Sequence, residues 1–170
     1  MSLRWQHYPR SQTPSELCGK IVKAFTNKHS AIDSSSGHTH KCDKVLSILA
    51  EDFLQLGFQI ERGKKNGDKI TFPLLFGRNG RIEKPFYPDG YQAESRYMLE
   101  VEAGSAITNH QLHRDLLHAC ICDSVDRLAV AVRNVYSGSD DFTQACRIMD
   151  SIFNSRRFAL PLKEVLIIGY

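Results

Sequence analysis

Apolar positions along the chain follow two rhythms, and the switches between them mark out the elements. Thr13-Pro14-Ser15-Glu16 combines an N-cap, a proline at the first helical position and a glutamate at N3. That start predicts a helix over 14–27 with Leu17, Ile21, Ala24 and Phe25 on one stripe. Residues 28–40, with Ser34-Ser35-Ser36-Gly37, read as a loop. Val45, Ile48, Leu49, Phe53 and Leu56 then predict a second helix over about 40–56, stopped by Gly57.

The period shortens after that helix. Residues 58–62 and 70–76 read as strands around a turn at 64–68, where Asn66-Gly67 favours a hairpin; Pro73 marks an edge or a bulge. A turn at 77–80 leads into an extended run over 81–88, and 90–95 reads as a connection. A strand follows at 96–103, then a helix from about 108 to 122 with Leu112, Leu116, Ala119, Cys120 and Asp123 on one face. A buried strand at 127–132, a helix at about 140–154 and a strand at 164–168 complete the pattern. A strand–helix–strand crossover of this length implies right-handed parallel pairing. The expected fold class is therefore α/β: a single domain over 1–170, with a mixed central β-sheet flanked by helices.

Composition changes this picture little. The chain has 170 residues and a formal net charge of +3, a mild basic bias that permits a phosphate-bearing partner without demanding one. No apolar run approaches the roughly 20 residues that span a bilayer, and the N-terminus has no signal-peptide core. The expectation is a cytoplasmic protein with no membrane partner. Five cysteines, an odd number without disulfide-framework spacing, fit a reduced chain. His38, His40 and Cys42 alternate through the loop-to-helix junction but lack a second ligand cluster, so they read as a polar loop rather than a zinc site.

Candidate chemistry lies in acidic residues. Within strand 96–103, Met98, Glu100 and Glu102 point to one face and Tyr97, Leu99 and Val101 to the other. Two ionised glutamates at that spacing stand about 6–7 Å apart and repel, which calls for water or a cation. Pro88-Asp89 precedes them in the chain and offers a third carboxylate, a set suited to Mg²⁺. The alternative makes Glu100 and Glu102 the solvated face of an edge strand and Asp89-Gly90 an ordinary turn. The crossover helix that follows argues instead for a central strand with a cleft over its acidic face. There is no Gly-rich phosphate loop and no Gly-x-Ser-x-Gly elbow.

Pro88-Asp89 followed by Glu100-Val101-Glu102, on neighbouring extended segments between two helices, resembles the PD-(D/E)xK nuclease superfamily over residues 40–135. The resemblance implies a restriction-endonuclease-like core (αβββαβ) extended by the helix 14–27 and the loop 28–40. It also implies metal-assisted hydrolysis of phosphodiesters, with Asp89, Glu100 and Glu102 as catalytic residues and Mg²⁺ or Mn²⁺ as cofactor. Asp89 and Glu100 would be metal ligands, helped by the Val101 carbonyl.

The departure from the pattern is Glu102, which stands where the superfamily has lysine; a minority of restriction enzymes carry Glu-x-Glu. Glu102 would then act as a base or as a ligand to a second metal. Many members add an acid from the preceding helix, and the helical period puts Asp52 on the buried stripe and Glu51 toward the polar side. Gln111 would face the same site, with His110 and His113 nearby. Lys64, Lys65, Lys69, Arg78, Arg81 and Lys84 surround the turns before Asp89 and suit a phosphate backbone, while Tyr87 and Tyr91 suit stacking on bases.

The expected partner is nucleic acid, double-stranded DNA in the first place, with a homodimer setting two sites on two strands. A restriction-type or mobile-element defence enzyme is the corresponding role. A catalytically inactive binding module on the same fold and a hydrolase of other phosphoesters are the competing readings.

Overall fold

The computed structural model describes residues 2–63, 68–104 and 106–170. The Asn66-Gly67 hairpin turn and the proposed phosphate-binding Lys64 and Lys65 lie outside the described residues. Among the described residues eight strands and four α-helices follow one another as β1 Arg4–Tyr8, α1 Glu16–Ile32, α2 Cys42–Gln55, β2 Gln59–Ile60, β3 Phe72–Phe76, β4 Ile82–Phe86, β5 Gly90–Gln92, β6 Tyr97–Glu102, α3 Gln111–Ile121, β7 Arg127–Val132, α4 Asp141–Phe153 and β8 Glu164–Gly169. No helix is long and apolar enough to cross a membrane among the described residues.

Six strands form one mixed sheet in the order β1-β8-β7-β6-β5-β2. β6, β7 and β8 run parallel at its centre, and β1, β5 and β2 pair antiparallel at the flanks. The parallel strands are apolar almost throughout because helices cover both faces. On one face Leu99, Val101, Ala129 and Leu166 pack with Ile21, Phe25, Val45, Leu49 and Phe53 of α1 and α2. On the other, Met98, Leu128, Val130 and Ile167 pack with Leu112 and Leu116 of α3 and Ala145 and Met149 of α4. The alternation expected along β6 holds, so Glu100 and Glu102 belong to the α3 face.

The structure corrects the sequence reading in four places. β1, unforeseen, closes the far edge of the sheet, and Arg4 fixes it by a 2.7 Å ion pair to Asp140. The helix cap is Ser15 rather than Thr13: the Ser15 hydroxyl accepts from the Cys18 N–H at 3.2 Å. α1 continues to Ile32, whose buried side chain draws the chain past residue 27 into the core. Finally, the supposed connection after Asp89 is strand β5, wedged between β2 and β6, while β3 and β4 form a separate two-stranded sheet instead of a meander into β6.

Candidate active site

Asp89 sits just before β5, where Gly90 pairs with both Ile60 and Leu99. A Cβ at Gly90 would stand 2.9 Å from Ile60 Cδ1 and 3.3 Å from Leu99 Cβ, so glycine is what lets the three strands close at that point. The register carried back one residue sets Asp89 opposite Glu100, on the same face. Two hydrogen bonds fix it there. The Asp89 carbonyl accepts from the Glu61 N–H at 2.9 Å, and the Asp89 Oδ2 accepts from the Val101 N–H at 2.7 Å. The side chain thus takes over as ladder acceptor where the backbone pairing of β5 and β6 ends.

Glu100 and Glu102 are buried, and Glu100 Oε1 meets no hydrogen-bond donor. Facing them from α3 is Asp115, fully buried, its Oδ2 also without a donor. The Asp115 carboxyl stands close enough to Glu102 for the glutamate charge to act on it. Its nearest cation, Arg114, reaches only the other oxygen, at 3.4 Å.

The electrostatics follow from this crowding. Burial, offset in part by the Val101 N–H and reinforced by Glu61, Glu102 and Asp43, pushes the Asp89 carboxyl up to about 7. Burial, then the Glu102 charge, against the pull of Arg114, pushes Asp115 up to about 8. Glu100 is held well above the ordinary carboxylate range, by burial first and then by Asp89, Asp115 and Glu102.

Buried carboxyls gathered this closely are costly when ionised. A divalent cation would relieve that cost, and an all-oxygen donor set with an orphaned buried oxygen on Glu100 is the chemistry a hard cation takes. Asp89, Glu100 and Asp115 are the residues placed to hold one, with Glu102 alongside. As they stand, no three His, Cys, Asp or Glu side chains among the described residues are drawn together into a finished metal cage. Mg²⁺ is commonly held by one or two carboxylates and completes its shell with water, so no such cage is required.

The structure thus brings together Asp89, Glu100 and Glu102. Asp52 stands elsewhere: α2 packs on the opposite sheet face, and Asp52 Oδ2 pairs with Lys28 Nζ on α1 at 3.5 Å. The α2 carboxylate whose charge acts on Asp89 is Asp43, in the first turn. Gln111 opens α3 on the site face, and its buried Oε1 has no donor. Tyr91 has structural partners: its hydroxyl donates to the Ser124 carbonyl at 2.6 Å, and its ring meets Phe72 edge-on at 4.7 Å. The rings of His38 and His40 stack on each other at 5.1 Å, and those of His110 and His113 stand 5.6 Å apart.

Sequence reasoning missed Asp115, although a signal was present. It lies three residues after Leu112 and four before Ala119, on the apolar stripe of its helix. A carboxyl on a packed helix face singles out Asp115 as well as it does Asp52.

No family model matches the chain, and no curated protein matches it in sequence. The fold does match a solved structure, restriction endonuclease BglII complexed with a DNA 16-mer. The TM-score is 0.56 at 10% identity, over 99% of this chain and 76% of that one. The fold is restriction-endonuclease-like. The strand bearing Glu100 and Glu102 lies inside the sheet between β7 and β5, and both glutamates are buried rather than on a solvated edge.

Proposed function

We propose that this chain is a metal-dependent nuclease that hydrolyses phosphodiester bonds in DNA, of restriction or mobile-element defence type. The observation that carries the reading is the register of Asp89 against Glu100 beneath a buried Asp115, in a restriction-endonuclease-like sheet. In this reading Asp89, Glu100 and Glu102 fill the three positions of a PD-(D/E)xK-like site, with glutamate in place of the lysine.

Asp89 and Glu100 are the ligands of a Mg²⁺ or Mn²⁺ ion in this reading. When bound, such an ion lowers the pKa of a water and stabilises charge developing on the phosphate. The protein's own residues do the rest. The Val101 N–H fixes the rotamer of Asp89 by its bond to Oδ2. Glu102, two residues beyond Glu100 on the same strand face and beside Asp115, is the group to take a proton from the attacking water. Gln111 opens the helix that carries Asp115. A dimer would carry two such sites, one for each DNA strand.

The second reading, an inactive DNA- or protein-binding module, draws on one observation. Among the described residues no ion pair joins a lysine to these carboxyls, and the cation that does pair with Asp115, Arg114, is half-exposed. Supercoiled plasmid incubated with the protein and Mg²⁺ or Mn²⁺, beside EDTA controls, separates the two. Metal-dependent nicking or linearisation that Asp89→Asn and Glu100→Gln both abolish establishes the nuclease. Intact plasmid with every metal tested leaves the binding module.

A further inference from the structure

The β3–β4 hairpin is the part of the molecule that the sheet and its carboxyls do not explain. Its base is anchored. Phe72 and Phe86 are buried in the apolar cluster on the α3 face, and Phe86 packs on the His118 ring at 4.3 Å. Phe72 packs on Tyr91 at 4.7 Å. The hairpin is thus rooted on the sheet face that carries Glu100 and Glu102.

Its far end is the opposite in character. Leu75, Phe76 and Ile82 are 53%, 60% and 48% exposed, and Phe76 pairs directly with Ile82 across the ladder. Beside them stand Arg78, Arg81 and Lys84, against a single acid, Glu83. None of the three cations is ion-paired among the described residues. Arg78 belongs to a tight turn closed by the Gly77 N–H donating to the Arg81 carbonyl at 2.8 Å. Asn79 and Gly80 take the left-handed conformation there, which holds the tip in a defined shape.

An apolar tip ringed by unpaired cations suits neither water nor an apolar protein face. It suits a surface that offers stacked apolar bases bordered by phosphates. We propose that the β3–β4 hairpin is a DNA-wedging arm: Phe76, with Leu75 and Ile82, enters a groove of duplex DNA and presses against a base step while Arg78, Arg81 and Lys84 hold the flanking phosphates. Apolar side chains flanked by cations are the device by which proteins unstack and bend a duplex, and a two-stranded ribbon fits a groove. The arm rests on the nuclease reading for its substrate, and it names how that substrate is gripped.

The test uses Phe76→Trp in a Trp5→Phe background, so that one indole reports from the tip, together with the triple variant R78A/R81A/K84A. A labelled 30-base-pair duplex is titrated in EDTA, with heparin as a polyanion that has no bases to stack on. The arm predicts quenching of the indole by duplex and not by heparin. It also predicts that the triple variant lowers the slope of log affinity against log salt by about one for each phosphate no longer neutralised, and that Phe76→Ala weakens binding about tenfold with the slope unchanged.

An indole indifferent to duplex, or a salt slope unmoved in the triple variant, overturns the proposal. So does a concentration-dependent dimer that L75S/F76S dissolves, because the tip would then be covered by a second copy. Plasmid cutting unchanged in all the tip variants sinks the arm and leaves the nuclease reading standing. Duplex bound through the tip with no cutting in any metal keeps the arm and removes the nuclease.

Discussion

Asp89, Glu100 and Asp115 are acids placed where acids are least comfortable ionised, and their titration gives the first measurable consequence. Both Asp89 and Asp115 have folded pKa values raised above the unfolded one, to about 7 and about 8. The folded protein therefore holds protons that the unfolded chain has already released. Their contribution to stability is complete at low pH and is lost as pH rises from the ordinary carboxylate range through 7 to 8. The metal-free protein should show a melting temperature that falls between pH 5 and pH 8.5. Asp115→Asn should flatten that fall and raise the melting temperature at pH 8.5; a wild-type profile flat over this range would refute the carboxyl crowding. At the catalytic level, Asp89→Asn and Glu100→Gln should each lower DNA cleavage by more than ~100-fold, beyond the loss typical of an outer-shell partner. Steady-state cleavage assays at saturating metal measure it.

The elements show why some of this was legible in sequence and some was not. β6, β7 and β8 announce themselves as apolar, β-branched runs, and the crossover helix between β6 and β7 fixes their parallel pairing. β5 was hidden because it is three residues long and begins at an Asp-Gly pair, which looks like a turn when nothing shows that Ile60 and Leu99 press on the glycine from both sides. β1 was hidden because its burial pattern barely alternates; what holds it is the far end of the sequence, β8, and the Arg4–Asp140 pair. Such long-range partners leave no local pattern. Two consequences follow at this scale. Gly90→Val should overpack the β2–β5–β6 junction and cost about 1–3 kcal/mol or more, read by urea unfolding, with a loss of cleavage as Asp89 is displaced. Leu99→Ala, which empties a fully buried position between β6 and the α1–α2 layer, should cost about 2–5 kcal/mol.

At the scale of the molecule, the sheet divides labour between its faces. The α1–α2 face is largely apolar, with buried Glu164 held by Ser15 at its margin, while the α3 face interrupts its core with Glu100, Glu102 and Asp115 and carries the β3–β4 hairpin at its margin. That division explains why Asp52, chosen correctly as a carboxyl near an apolar stripe, stands on α2 with Lys28 as its partner, whereas Asp115 on α3 reaches the site. Helical period shows which side of a helix is buried, not which face of the sheet the helix covers. The claim on which the rest depends is that these carboxyls receive a divalent cation, and calorimetric titration of the wild-type protein with Mn²⁺ at pH 6 and pH 8 tests it most directly. Binding is expected at both pH values, tighter at pH 8 and accompanied at pH 6 by proton release, and lost in Asp89→Asn. Absence of binding in the folded protein at pH 8, or binding that Asp89→Asn and Glu100→Gln leave unchanged, would contradict it.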